Sequence, residues 1–369
     1  MVALDSKQVK AALAGVTDPE LRAPLAELDM VGDISITDEE LSVEILLTIV
    51  GCPAAERIEH DTRSALAAVL DGRNLNLTLG VMTPDQRAAL VTRLREGKPS
   101  TNPFTPDSLT RVIAVTSGKG GVGKSSLTVN LAAAVSQAGF RVGIIDADVF
   151  GFSIPGLLGI DAVQPTRIND MILPPIVHDI KVLSIGMFIG SDQAVAWRGP
   201  LLHRTLEQFL TDSYFGDLDF LFLDLPPGTG DIAISVGQLL PHAEILVITT
   251  PQPSASDVAW RSGDVARQTG QTVLGVIENM SSTTGPSGET VNFFGEGGGQ
   301  IVASKLGVPL LGSVPLSTHL RQAGDDGTPL VRSHPDDPVA VIMAELSQAI
   351  IRGGASKAGK GLPLSLKPR

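Results

Sequence analysis

Apolar positions along this chain fall into two regimes. Up to about residue 95 they alternate, or recur at helical spacing, in short stretches; beyond residue 110 they gather into continuous runs separated by helical segments. In the first regime Lys7 to Ala14 reads as a short helix. Met30 to Ile36 and Leu41 to Val50 read as strands around the turn-forming Thr37-Asp38-Glu39-Glu40. Ile58, Thr62, Ala65, Leu66, Val69 and Leu70 share one helical stripe, with Gly72 placed as its C-cap. Asn74 to Val81 alternates as a strand does. Thr83-Pro84-Asp85-Gln86 then combines an N-cap, a first-turn proline and a capping-box glutamine.

The second regime has seven apolar runs: Val112–Thr116, Arg141–Asp146, Val182–Ile185, Phe220–Asp224, Ile245–Thr249, Val273–Ile277 and Leu310–Val314. Continuous runs alternating with helices predict an α/β fold, a mostly parallel sheet with helices on both faces, preceded by a small α+β domain. The expected boundaries are a front domain over 1–95, a linker over 96–110 rich in proline and polar residues, a large domain over 111–352, and a basic, glycine-rich disordered tail over 353–369.

Composition narrows the function. Hydrophobic residues are 43% and aromatics only 4%, which suits a Val/Ile/Leu/Ala core and argues against a base-stacking surface. A net charge of −12 opposes broad nucleic-acid binding, which needs a basic face. No apolar run reaches the roughly 18 residues that span a bilayer, so no membrane partner is expected. Met1-Val2-Ala3-Leu4-Asp5 lacks the basic and apolar regions of a signal peptide. A single cysteine, Cys52, excludes an intrachain disulfide and fits a reducing cytoplasm.

The chemistry concentrates after the first run of the second regime. Gly118, Gly123, Lys124 and Ser125 satisfy G-x-x-x-x-G-K-[ST] between a strand and a helix, the context in which that pattern binds phosphate. The candidate loop comprises Gly118, Lys119, Gly120, Gly121, Val122, Gly123, Lys124, Ser125 and Ser126. Its backbone N–H groups would converge on an anion, backed by the positive end of the next helix. Lys124 would reach the β- and γ-phosphates, and Ser125 would bind Mg²⁺. Ligands on parallel sheets sit at the carboxyl ends of strands. Asp224 there reads as a Walker-B residue holding Mg²⁺. Asp148 reads as the group that polarises the attacking water and Asp146 as support for the metal shell, a division that needs geometry to settle. Pro227-Gly228-Thr229-Gly230 would move with the γ-phosphate.

Two further residues stand out. Lys119 is a second lysine within the loop; it is poorly placed to fold back on its own γ-phosphate but within reach of that of a facing subunit. Cys52 precedes Pro53 and is expected at a helix N-terminus, where the dipole favours thiolate; the alternative is a small buried hydrophobe.

Lys119-Gly120-Gly121-Val122-Gly123-Lys124-Ser125 resembles the deviant Walker A of the ATPases related to MinD and ParA. One branch, the Mrp family of iron–sulfur cluster carriers, is resembled further. The stretches are Asp146 to Pro155, Trp197-Arg198-Gly199-Pro200, Asp224 to Asp231, Glu278-Asn279-Met280-Ser281 and Phe294 to Gly299. The likeness covers roughly 110–350. The front segment resembles the small iron–sulfur assembly domain, with Gly51-Cys52-Pro53 matching its cysteine–proline. The resemblance implies a P-loop ATPase acting as a homodimer on apo iron–sulfur client proteins, with ATP and Mg²⁺ as cofactors. Lys119 would cross to the partner's nucleotide, Asp148 would position water and Asn279 would bind the adenine edge.

The chain departs from that family in one respect. Relatives usually carry Cys-x-x-Cys after the Asn-Met-Ser, shared by two subunits around a cluster. Here the stretch is Ser281-Ser282-Thr283-Thr284-Gly285-Pro286-Ser287-Gly288. Thiolates are the expected cluster ligands, so the usual bridging cluster cannot form in the usual way. Cys52 is the remaining candidate thiol. The expectations are therefore an ATP-hydrolysing iron–sulfur carrier, an assembly factor or client chaperone without its own cluster, or, less favoured, a MinD/ParA-like positioning ATPase.

Overall fold

The computed structural model describes residues 4–97, 100–149, 151–161, 163–188, 199–285 and 287–353. Phe150, Trp197, Arg198 and Pro286, and the expected tail beyond Gly353, lie outside the described residues.

The front segment builds a three-stranded sheet covered by helices. Helix α1 (Ser6–Leu13) starts with a capping box between Asp5 and Gln8. Strands β1 (Val31–Ile36) and β2 (Glu40–Leu47) pair antiparallel. In β2, Leu41, Val43, Ile45 and Leu47 point inward on alternate positions, as period-2 burial requires. Helix α2 (Ala55–Ala67) buries Ile58, Thr62 and Leu66, then leads to β3 (Asn74–Val81), parallel to β2. It ends sooner than the apolar stripe predicts: Val69 and Leu70 pack on the core from beyond the helix. Helix α3 (Pro84–Leu94) opens with the anticipated Thr83/Gln86 capping box.

All seven apolar runs of the second regime become parallel strands of one sheet. They are β4 (Arg111–Ser117), β5 (Val142–Asp146), β9 (Ile180–Ser184), β10 (Phe220–Asp224), β11 (Glu244–Thr249), β12 (Thr272–Asn279) and β13 (Leu310–Val314). Before β9 come a hairpin of β6 (Thr166–Ile168) and β7 (Met171–Leu173), and a short strand β8 (Ile176–Val177). The sheet has eight strands in the order β8-β9-β5-β10-β4-β11-β12-β13, with β8 antiparallel at its edge. Each of β6, β7 and β8 is too short for periodicity to reveal.

Helices cover both faces. Helix α4 (Lys124–Gln137) and α9 (Pro338–Arg352) close one apolar layer. Helices α5 (Gly199–Thr211), α6 (Asp231–Leu239), α7 (Pro253–Gln268) and α8 (Gly298–Leu306) close the other. No helix among the described residues is long and apolar enough to cross a membrane.

The β6–β7 hairpin reaches toward the front segment. Ile168, Met171 and Leu173 belong to the same apolar cluster as Leu21, Leu25 and Cys52. Polar contacts rim this seam. Thr166 Oγ1 donates to Glu20 Oε1 at 2.8 Å, and Arg22 Nη2 donates to the Asp179 carbonyl at 2.9 Å. Lys181 is buried near Asp18, Glu20 and Arg22, with Nζ donating to the Tyr214 carbonyl at 3.3 Å. Desolvation and the nearby Arg22 lower its pKa to about 8, against the pull of the two carboxylates.

Candidate nucleotide-binding site

The strand order decides which carboxyl ends meet. Because β10 lies between β5 and β4, Asp224 stands in register with Asp146 on one side and Val115 on the other. The glycine-rich loop leaves β4 and turns into α4 through Gly121 at φ +77° and Gly123 at φ +81°, a left-handed backbone that suits glycine. A Cβ on Gly123 would also stand 2.2 Å from the Asn279 amide nitrogen. The loop rims a cavity of about 580 Å³, whose lining includes Lys119 to Ser126, Asp148, Pro226, Pro227 and Asp231.

Within this cavity one ammonium faces several oxygens. Lys124 Nζ lies 2.6 Å from Asp224 Oδ2, 3.2 Å from Ser125 Oγ and 3.9 Å from Asp148 Oδ2. Ser125 Oγ donates to Asp224 Oδ2 at 2.6 Å, and Thr128 Oγ1 donates to Asp224 Oδ1 at 2.9 Å. Asp224 is wholly buried, and each of its oxygens is matched by a donor. The Ser125 hydroxyl lines the cavity and the Asp224 carboxylate lies directly behind it; both are hard oxygen donors, a set that fits Mg²⁺ completed by phosphate and water.

The two aspartates after β5 occupy different surroundings. Asp146 is fully buried and accepts from the Asp148 N–H at 3.1 Å, Ser184 Oγ at 3.1 Å and the Ile154 N–H at 3.3 Å. Burial, and then the charge of Asp224, push its carboxyl well above the usual carboxylate range. Asp148 instead lines the cavity.

Lys119 also lines the cavity, and its Nζ donates to Gln252 Oε1 at 2.9 Å and Ser254 Oγ at 3.3 Å, at the start of α7. Asn279 is buried outside the cavity lining, with Nδ2 donating to the Val122 carbonyl at 2.9 Å. The structure thus gathers the loop and Asp148 about one cavity, buries Asp224 behind Lys124 and Ser125, and sets Asn279 against Val122 and Gly123.

Cys52 stands apart, in the front segment. Its carbonyl accepts from the Ala55 N–H just before α2, the helix-end position anticipated, but the thiolate expectation fails. Desolvation raises its pKa to about 11, with the Glu20 and Asp18 charges adding, and the helix-end N–H groups only partly oppose this. Among the described residues no group of three or more His, Cys, Asp or Glu forms a metal-binding cluster. One cysteine per chain leaves too few thiols for an all-cysteine iron–sulfur site.

Some site residues carry little mark in the sequence. Thr128 lies four residues after Lys124, on the same helix face, so spacing alone could have found it. Gln252 and Ser254 follow the carboxyl end of β11, where the rule for parallel sheets points. Ser184 and Ser262 carried no signal.

A mostly parallel sheet with a glycine-rich loop, a loop lysine and a strand-end aspartate at its carboxyl edge defines a P-loop NTPase. The family model described as NUBPL iron-transfer P-loop NTPase, of the ParA group, matches residues 108–351, and that of the iron–sulfur cluster assembly protein matches residues 6–76. The chain belongs to the iron–sulfur cluster carrier family of P-loop NTPases. It is 49% identical over 365 residues to an iron-sulfur cluster carrier protein of Mycobacterium tuberculosis, covering 96% of each chain. It is 35% identical over 344 residues to that of Escherichia coli, covering 93% of this chain and 90% of the relative. Among solved structures, the nucleotide-binding protein of Archaeoglobus fulgidus in complex with ADP superposes with a TM-score of 0.52 at 33% identity, over 61% of this chain and 92% of that one.

Proposed function

We propose that this protein binds and hydrolyses ATP as a homodimer in the cytoplasm and uses that cycle to mature apo iron–sulfur client proteins. The observation that carries the reading is the Lys124–Ser125–Asp224 cluster, whose lysine and serine line a loop-rimmed cavity. With ATP bound, Lys124 exchanges Asp224 for the β- and γ-phosphates. Mg²⁺ held by Ser125 and Asp224 would then supply charge neutralisation for the phosphates. Asp148, on the cavity wall, orients the attacking water, while buried Asp146 holds the Asp148 backbone. Lys119 leaves Gln252 and Ser254 to reach the partner subunit's γ-phosphate. Asn279 keeps one N–H on Val122 and offers its other N–H and its carbonyl to the adenine edge.

The missing Cys-x-x-Cys favours a second reading of the cycle's purpose: an assembly factor or client chaperone without a bridging cluster of its own. ATP turnover by wild type and Lys124→Ala tests the first part; removing one such charged donor should cost at least about 10²-fold, and retained turnover sinks the loop assignment. Anaerobic reconstitution tests the second part. If wild type takes up iron and sulfide beyond a Cys52→Ala control, the carrier reading stands and the chaperone reading falls. Equal uptake by the two proteins leaves the chaperone reading standing and removes the carrier reading.

A further inference from the structure

Helix α7 lies under both the phosphate loop and the segment that follows Asp224. Gly118 is pressed against it so closely that a Cβ there would stand 2.3 Å from the Ala259 nitrogen. One turn further, Ser262 is buried, with its Oγ 3.3 Å from the Ser117 carbonyl and 3.3 Å from the Gly228 carbonyl. A serine hydroxyl has one proton and can donate to one acceptor at a time. Both distances are long for O–H···O.

The two acceptors differ in what else they have. Ser117 is fully buried, and its carbonyl also accepts from the Gly228 N–H at 2.8 Å. Gly228 is half-buried in the glycine-rich segment, with φ at +96°, so water can reach it. If the γ-phosphate draws that segment inward, the Gly228 N–H leaves Ser117, whose buried carbonyl then depends on Ser262.

We propose that Ser262 is a positioning residue: its hydroxyl donates to Gly228 when the segment rests on the loop and to Ser117 when a triphosphate draws the segment away. It lowers the cost of the triphosphate-bound arrangement and contributes little to the diphosphate-bound one. This deepens the ATP reading and rests on it.

Isothermal titration of wild type and Ser262→Ala with AMP-PNP and with ADP, both with Mg²⁺, tests the proposal. Alanine is the best helix former, so the variant keeps α7. AMP-PNP affinity should fall about five-fold, the worth of one net hydrogen bond of about 1 kcal/mol. ADP affinity and the nucleotide-free melting temperature should stay at wild-type values. Equal loss for both nucleotides, or no loss for either, overturns the proposal. Wild type that binds neither nucleotide overturns the ATP reading itself, and the proposal with it.

Discussion

Replacing Gly118 by alanine probes the packing of the phosphate loop on its supporting helix. Gly118 is not in the left-handed region, so the change adds no backbone strain; the whole cost is steric. The new Cβ would lie 2.3 Å from the Ala259 nitrogen, 2.5 Å from the Val258 carbonyl carbon and 2.8 Å from the Ala259 Cα. Ordinary non-bonded contact begins near 3.5 Å, so the strand end and helix must part by about 1 Å. The obstructing atoms are backbone in the middle of α7, a helix of 16 residues, so no side chain can swing aside. The helix shifts as a unit against β4 and β11 or the loop is displaced, and overpacking of this kind costs about 1–3 kcal/mol. At the upper end, a domain of this size should lose roughly 6–12 °C in melting temperature. ADP affinity should fall as well, because the loop rests on α7 at Gly118 and Lys119 takes its position from Gln252 at the start of that helix. Gly121→Ala is the comparison. Gly121 has φ +77° and no atom within 4 Å of a Cβ, so it bears only conformational strain of about 1–2 kcal/mol. Calorimetric melts with and without saturating ADP make the measurement. A Gly118→Ala protein that melts with wild type and binds ADP normally would refute the packing argument.

Cys52 should alkylate slowly. With its thiol at about 11 rather than 9.0, iodoacetamide at pH 8 should react about 100-fold more slowly than with an ordinary cysteine; mass spectrometry giving equal rates in folded and urea-unfolded chains would refute the burial argument. Lys181 should leave a pH signature. Its folded pKa of about 8 lies below the ordinary 10.5, so between those values the unfolded chain binds more protons and wild-type stability gains with rising pH. The penalty is complete below pH 8 and fades toward pH 10.5. Urea midpoints of wild type and Lys181→Met should therefore shift in favour of wild type between pH 7 and pH 10; a difference constant with pH would show that the ammonium is not desolvated.

Much of this molecule is local enough to be legible along the chain. Seven strands of the large sheet announced themselves as continuous apolar runs; in six of them burial on both faces demands apolar residues at nearly every position, while the edge strand β13 is half-exposed. The capping box at Thr83 and Gln86 formed as expected, since its partners are three residues apart. The glycine-rich loop was equally plain. Its left-handed glycines and following helix are set by neighbours in sequence.

What the chain hid is what distant segments decide for one another. Asp146 and Asp224 become neighbours only because β10 inserts between β5 and β4, and that closeness, with burial, raises the Asp146 pKa. Cys52 has the helix-end position its proline suggested, yet burial near Asp18 and Glu20 outweighs the helix and keeps the thiol protonated. Lys119 meets Gln252 across 133 residues, and Ser262 meets Ser117 across 145. Sequence periodicity reports which face of a segment is apolar. It carries no record of which strand lies beside which, and desolvation depends on that arrangement. The sequence by itself determined the class of fold and the loop that would hold phosphate; the tertiary structure decided which carboxylate stays buried, where each lysine rests and why the lone thiol is quiet.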